Sequence, residues 1–227
     1  LKTDYIDLYQ IHWPNPNIPI AESLEALERL KDQGKIRSIG VCNFGVQQLS
    51  GLLEIGDCQT DQLSYSLIWR ALEYEIRPMC IDNDVGIICL GPLSEGLLTG
   101  KFASPDDVPG PRAATRHFSS DRPDARHGEG GYEEETFAAI DRIRVIAERV
   151  GEPMAMISLA WLLHQPGVTA VLAGSRKPEQ IKENARAGDL TLSPELIEEL
   201  TAATDELKRK FGANQDMYLT TSESRIR

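Results

Sequence analysis

The sequence predicts an α/β protein built on a parallel sheet, and three observations carry that prediction. Its 227 residues lie near the ~250 typical of a (β/α)₈ barrel and above the ~100–150 of one simple domain. Short β-rich runs alternate with amphipathic helical segments. Two of the runs, Gly86–Leu90 (GIICL) and Val168–Leu172 (VTAVL), are almost wholly apolar, as strands of a parallel sheet buried on both faces are.

The elements follow in order. Tyr5–Ile11 (YIDLYQI) is rich in β-branched and aromatic residues and reads as a strand. Ile20–Gln33 is a helix, because Ile20, Leu24, Leu27 and Leu30 recur at helical spacing and Gly34 stops it. Ile36–Val41 is the next strand and Val46–Ile55 the next helix. Gln59–Leu63 is a short strand, Leu72–Asn83 a helix, and Gly86–Leu90 the fourth strand. Val168–Leu172 is the fifth, and the helix after it begins at Pro178, where proline suits the first turn. Five β-then-α units in a row imply right-handed crossovers between parallel strands.

The rhythm breaks over Ala103–Gly131, which holds four prolines, four glycines and four arginines without periodicity. A loop of this length reads as a functional flap or a mobile segment. Helices over Glu133–Val150 and Pro153–His164 follow. The tail holds one more helix, capped by Ser193 with Pro194 at its first position, and then runs through Phe211–Arg227 with little pattern. Residues 1–227 are read as a single domain whose long loop is 103–131.

Composition excludes several classes. At 41% hydrophobic and 26% charged, the chain is neither disordered, collagen-like nor a disulfide scaffold. The charge balance, 24 − 35 = −11, disfavours a sequence-independent grip on nucleic acid or on anionic membranes. A local basic cluster is still able to hold a small phosphorylated ligand. Met154–Leu163, the longest mostly apolar stretch, is far short of the ~20 residues that span a bilayer, and no signal segment opens the sequence. Cys42, Cys58, Cys80 and Cys89 show no CxxC spacing and sit in or beside apolar runs. They read as buried free thiols, which predicts no metal site and a cytoplasmic setting.

Four motifs then stand at fitting intervals: Asp4–Pro14 (DYIDLYQIHWP), Gly34–Phe44 (GKIRSIGVCNF), Gly91–Lys101 (GPLSEGLLTGK) and Gly174–Asn184 (GSRKPEQIKEN). With them the sequence resembles the aldo-keto reductases, in the bacterial subgroup with a long loop after the seventh strand. The resemblance covers nearly the whole chain. It implies a (β/α)₈ TIM barrel in which DLYQIHW is the fourth strand. On that reading the chain is a C-terminal portion, the last five β/α units plus a C-terminal helix and tail. Leucine rather than methionine at position 1 agrees with it. Three units before Leu1 are expected to carry a catalytic aspartate, a proton-donating tyrosine and a lysine. Tyr5, Tyr9 and Lys2 sit on the wrong strand for those roles.

The resemblance also assigns residues that are present. His12, at a strand's C-terminal end where barrel enzymes place their chemistry, becomes the fourth catalytic group. Its Nε2–H would face the substrate carbonyl oxygen as negative charge develops there. A lone strand-end histidine is more often satisfied by a backbone carbonyl; the DLYQIHWP context reverses those odds. His117, His127 and His164 have no such context and read as loop or helix-end residues. Asn43 and Gln62 carry amides that donate and accept at once, as holding a nicotinamide carboxamide requires. The alternatives are turn chemistry for Asn43 and a buried, backbone-paired amide for Gln62. Three positions depart from the family pattern: Cys42 stands for its usual serine, Gly91 for a frequent serine, and Leu90, for a frequent aromatic, offers apolar contact without a π-face.

Leu93, Ser94, Gly96 and Leu97 are implied to contact the pyrophosphate, since glycines let backbone N–H groups approach phosphate closely. Gly174 and Ser175, with the helix that begins near Pro178, form the other half. Arg176 and Lys177 suit a 2′-phosphate, hence NADPH over NADH. Gln180 and Asn184, one helical turn apart, would reach the adenine edge. A solvated charge pair and a polar helix face are the alternatives. The implied function is NADPH-dependent reduction of aldehydes or ketones to alcohols, on a small-molecule carbonyl substrate, with the isolated portion inactive. The rival is a non-catalytic cofactor-binding regulatory subunit resembling potassium-channel β subunits.

Overall fold

A computed structural model describes residues 2–227. Five parallel strands form one sheet in sequence order: β1 (Ile6–Ile11), β2 (Ile36–Cys42), β3 (Thr60–Ser64), β4 (Gly86–Leu90) and β5 (Val168–Val171). Each crossover carries helix: α1 (Ile20–Asp32), α2 (Val46–Leu53), α3 (Ile76–Asp82), and the pair α4 (Glu133–Val150) and α5 (Met154–Leu163). After β5 come α6 (Pro178–Arg186), α7 (Pro194–Ala202) and α8 (Asp205–Phe211). β1 and β5 are the edges of this sheet.

The two faces differ. Ile39, Val41, Leu63, Ile87 and Cys89 point into the helix layer and are fully buried. The opposite face is half-buried and more polar, carrying Leu8, Gln10, Thr60 and Gln62. Gly40 lies at its centre; a Cβ there would sit 2.4 Å from Thr60 Oγ1 and 3.1 Å from Gln10 Cγ. Only glycine lets these strands keep that packing.

Most boundaries fall within a residue or two of the sequence reading, and the exceptions have physical causes. The helix expected over Leu72–Asn83 is a 3-10 turn, Ala71–Glu73, followed by α3. Pro78 cannot donate to the Tyr74 carbonyl, so one helix cannot run through. The single tail helix is two, broken before Asp205. Thr204 at the break is buried, and its Oγ1 accepts from Arg70 Nη1 at 2.9 Å. Arg70 also forks onto Glu73 at 2.9 Å through Nε and Nη2 and reaches Asp205 at 2.8 Å. Burial would raise the Glu73 carboxyl, but Arg70, with Lys208 and Tyr65, outweighs it and holds the group at about 2.

The loop 103–131 is anchored to the rest of the fold at several points. Val108, Ala113 and Phe118 belong to the main core. Arg116 is 4% exposed, pairs with Glu129 at 2.8 Å, and its N–H donates to the Met217 carbonyl. His117 is fully buried beside Trp69 and Phe211. Polar residues anchor this segment, so hydrophobic periodicity did not reveal it. All four cysteines are free and buried, as expected. Among the described residues no helix is long and apolar enough to cross a membrane, and no group of three His, Cys, Asp or Glu is placed to hold a metal ion.

Candidate cofactor and active site

Parallel strands bring all their C-terminal ends to one edge, and the singled-out residues gather there in two groups. The first is His12, Asn43 and Gln62. His12 follows β1 with its side chain exposed. Its carbonyl accepts from Asn43 Nδ2 at 3.3 Å, and the Asn43 N–H donates to the Gln62 carbonyl at 3.0 Å. Asn43 is 6% exposed and left-handed, with φ 61°, a conformation asparagine tolerates better than most residues. It therefore does turn chemistry as well as offering an amide. Pairing of Gln10 with Gly40 and of Cys42 with Gln62 puts Gln10, Cys42 and Gln62 on one face; strand alternation assigns His12 to it too. Backbones two strands apart are roughly 10 Å apart, enough for a flat ring and a small carbonyl between them.

The second group lines a cleft of about 520 Å³ between the loops after β4 and β5. One wall is Gly91–Gly96 and the other Leu172–Arg176 with Gln180. Gly91, Ser94, Glu95 and Gly96 all have positive φ, a curve of the nest type. The Ser94 and Gly96 N–H groups close it, however, by donating to the Gly91 and Leu93 carbonyls at 2.9 Å, so the attraction for an anion comes chiefly from nearby cations. Two cations that the sequence reading did not single out, Lys101 and Arg112, line the same cleft with Arg176. Gly96 borders both: a Cβ at its position would lie 2.7 Å from Lys101 Nζ and 3.4 Å from Arg112 Nη1. Burial, then the Arg112 and Arg176 charges, pulls the Lys101 ammonium below its ordinary pKa. Three cations against the one Glu95 carboxylate in the same lining leave the cleft net positive, able to hold a phosphorylated ligand.

Several assigned residues sit differently from expectation. The Leu97 side chain is 2% exposed and packs in the core, and the residue does not line the cleft. The Ser94 hydroxyl turns to Ser66 Oγ at 2.7 Å. Lys177 is exposed at the start of α6 and lies outside the cleft lining. Gln180 Oε1 accepts from the Arg176 N–H at 3.1 Å, and Asn184 Nδ2 donates to Ser175 Oγ at 3.1 Å. These two amides brace the loop after β5, and Asn184 does not line the cleft. Burial pushes all four thiols up to about 12, so none is a thiolate nucleophile. Lys101 closes a motif visible in the sequence; Arg112 lies in an aperiodic loop whose only signal was its arginine content.

A parallel β/α scaffold with polar side chains and basic loops at the strands' C-terminal edge defines an α/β protein that gathers its polar groups where barrel enzymes place theirs. The Aldo/keto reductase family model matches residues 1–205, and the chain belongs to that family. It is 34% identical over 200 residues to the aldo-keto reductase YhdN of Bacillus subtilis, covering 86% of this chain and 57% of that protein. It is also 34% identical over 199 residues to the NADH-specific methylglyoxal reductase of Escherichia coli, covering 85% and 57%. A probable voltage-gated potassium channel subunit beta of rice is 25% identical over 219 residues, covering 92% and 65%. Among solved structures, the glycerol dehydrogenase AKR11B4 from Gluconobacter oxydans superposes with a TM-score of 0.74 at 30% identity, covering 94% of this chain and 61% of that one. The chain thus spans 57% of the length of the two bacterial relatives.

Proposed function

We infer that this chain supplies the cofactor cleft and the oxyanion side of an NADPH-dependent reductase of aldehydes and ketones. The observation that carries the reading is the convergence of Lys101, Arg112 and Arg176 on the nest Gly91–Gly96. A dinucleotide's pyrophosphate suits the nest, and the cations beside it suit a 2′-phosphate. The E. coli relative is named for NADH; three cations at one cleft favour the phosphorylated cofactor here. Asn43 and Gln62 hold the nicotinamide carboxamide, and the apolar Leu90 side chain at the end of β4 packs near the ring. When bound, the cofactor supplies a hydride to the carbonyl carbon. His12 Nε2–H donates to the carbonyl oxygen and stabilises the charge that grows there.

The five strands act as the last five of an eight-stranded barrel, and the tyrosine that would protonate the developing alkoxide oxygen to give the alcohol belongs with the other three. The four free cysteines favour a reducing, cytoplasmic setting. Titration of the chain with NADPH and NADH tests the cofactor reading; equal affinity for both would overturn the 2′-phosphate assignment. The rice relative keeps a regulatory reading in view. Aldehyde turnover by the full-length protein separates the two: NADPH binding with no turnover on any aldehyde would favour the regulatory one.

A further inference from the structure

The loop Gly91–Gly96 passes through left-handed backbone at two residues that are not glycine, Ser94 with φ 43° and Glu95 with φ 54°. Residues with a Cβ stay in that region only where their surroundings hold them. Inside the loop, Ser94 N–H donates to the Gly91 carbonyl and Gly96 N–H to the Leu93 carbonyl, both at 2.9 Å. Neither bond holds the Ser94 side chain. That hold comes from outside, where Ser66 Oγ lies 2.7 Å from Ser94 Oγ. Ser66 is 0% and Ser94 2% exposed. A hydroxyl buried so deeply is unfavourable without a partner, so each serine satisfies the other.

Ser66 is itself rigidly placed. It follows β3 in a turn where Ser66 N–H donates to the Trp69 carbonyl at 3.0 Å and Trp69 N–H donates back at 3.1 Å. Ile68, within that turn, has its carbonyl bonded by the ring of His117 at 3.0 Å. The turn therefore presents a fixed hydroxyl to the back of the loop, while the loop's other side faces the cleft.

We propose that Ser66 is a positioning residue for dinucleotide binding. Through its hydroxyl it holds Ser94 in the left-handed region and so maintains the curve of the phosphate nest. This rests on the reading of the cleft as a dinucleotide site. Ser66 itself does not line the cleft, so its effect passes entirely through Ser94.

The test follows NADPH binding by fluorescence, beside thermal unfolding of the ligand-free chain. Ser66→Ala and Ser94→Ala are each expected to weaken binding about tenfold, and the double variant no more than either alone. Ser94→Gly in the Ser66→Ala background is expected to recover most of the affinity, because glycine enters positive φ freely. A purely stabilising role would move the melting temperature and give no such recovery. Unchanged NADPH affinity in Ser66→Ala, multiplying losses in the double variant, or absence of recovery each overturns the proposal. Should Ser66→Ala not fold, Ser94→Ala and Ser94→Gly alone decide: a tenfold loss in the first against near-normal binding in the second is expected, and equal binding by both overturns it. If the unaltered chain binds neither NADPH nor NADH, the cleft reading falls and this proposal with it. If the unaltered chain binds and the serine variants bind equally well, only the proposal falls.

Discussion

The Asn43 side-chain nitrogen lies 3.3 Å from the His12 carbonyl oxygen, while its backbone N–H donates to Gln62. One left-handed residue thereby ties together the ends of three neighbouring strands. The amide assigned to the nicotinamide is also the fastener that sets the spacing of His12 and Gln62. Position and chemistry are coupled at that residue.

Replacing Asn43 separates the two contributions. Asn43→Ala keeps a Cβ at positive φ and removes the amide, whereas Asn43→Gly relieves the backbone and removes the same amide. Left-handed backbone disfavours a non-glycine residue by roughly 1–2 kcal/mol, and a hydrogen bond adds about 1. Asn43→Ala is expected to weaken NADPH binding by about tenfold or more, with Asn43→Gly intermediate. Neither is expected to change the affinity for 2′,5′-ADP, which lacks the nicotinamide. Equal loss for both ligands would return Asn43 to a purely structural role.

At the other group, Arg176→Ala removes a cation from the cleft while leaving the nest backbone intact. One charge-assisted hydrogen bond is worth roughly 1.5–3 kcal/mol, about tenfold to a hundredfold in affinity. NADPH binding is expected to fall by that factor and NADH binding by much less. Arg112→Ala, whose Nη1 also reaches the Glu95 carbonyl at 3.3 Å, is expected to weaken both cofactors because the loop loses a brace. Fluorescence titrations of the two variants with both cofactors check this, and an equal loss for NADPH and NADH in Arg176→Ala would sink the assignment.

These contrasts also explain what was legible in the sequence. β4 was read over Gly86–Leu90, its observed bounds, because an apolar run of that length has few places to go but a two-sided parallel sheet. His12, Asn43 and Gln62 were legible because each sits at or near a strand end, a position the β/α alternation fixes. Arg112 was not, since its contribution depends on the path of an aperiodic loop that Arg116 and His117 anchor through polar bonds. Leu97 and Gly96 are neighbours with opposite fates, one packed inward and one bordering the cleft. Only the backbone angles of the kinked turn decide which.

Asp61 tests the core of the sheet. It is fully buried on the helix-facing side of β3, and its carboxylate has no hydrogen-bond partner beyond a weak approach of the Phe44 amide. Burial raises its pKa well above the ordinary value, only partly offset by the Phe44 amide. The thiols of Cys42, Cys58 and Cys80 feel its charge. The folded chain therefore binds the proton more tightly than the unfolded one. This group's contribution is fully present below the unfolded pKa of about 3.9 and is lost as pH rises toward the folded value. Asp61→Asn is expected to raise stability at pH 7 by about 1–3 kcal/mol and to remove that part of the pH dependence. Urea unfolding at several pH values measures it; a less stable Asp61→Asn chain at pH 7 would show that the ionised carboxylate has a favourable partner.

His117 imposes the opposite slope. Its ring is fully buried, with Nε2 3.0 Å from the Ile68 carbonyl and Nδ1 3.0 Å from Thr115 Oγ1. A carbonyl only accepts, so Nε2 carries the proton and Nδ1 accepts from the threonine hydroxyl. Burial first, then the nearby Arg116 and His127, lowers its pKa to about 4, against a partial offset from the Ile68 carbonyl. An unfolded histidine titrates near 6.5. The neutral ring's stability contribution is thus present above pH 6.5 and lost progressively as pH falls toward about 4. A gap of that size corresponds to roughly 3 kcal/mol. His117→Phe leaves the Ile68 carbonyl and the Thr115 hydroxyl without this partner, so it is expected to cost about 1–3 kcal/mol at pH 7.5. It is also expected to flatten the loss of stability between pH 6.5 and 4. Unfolding midpoints that fall just as steeply with acid in His117→Phe would assign the acid sensitivity to another group, with the partly buried Arg116–Glu129 pair the next to replace.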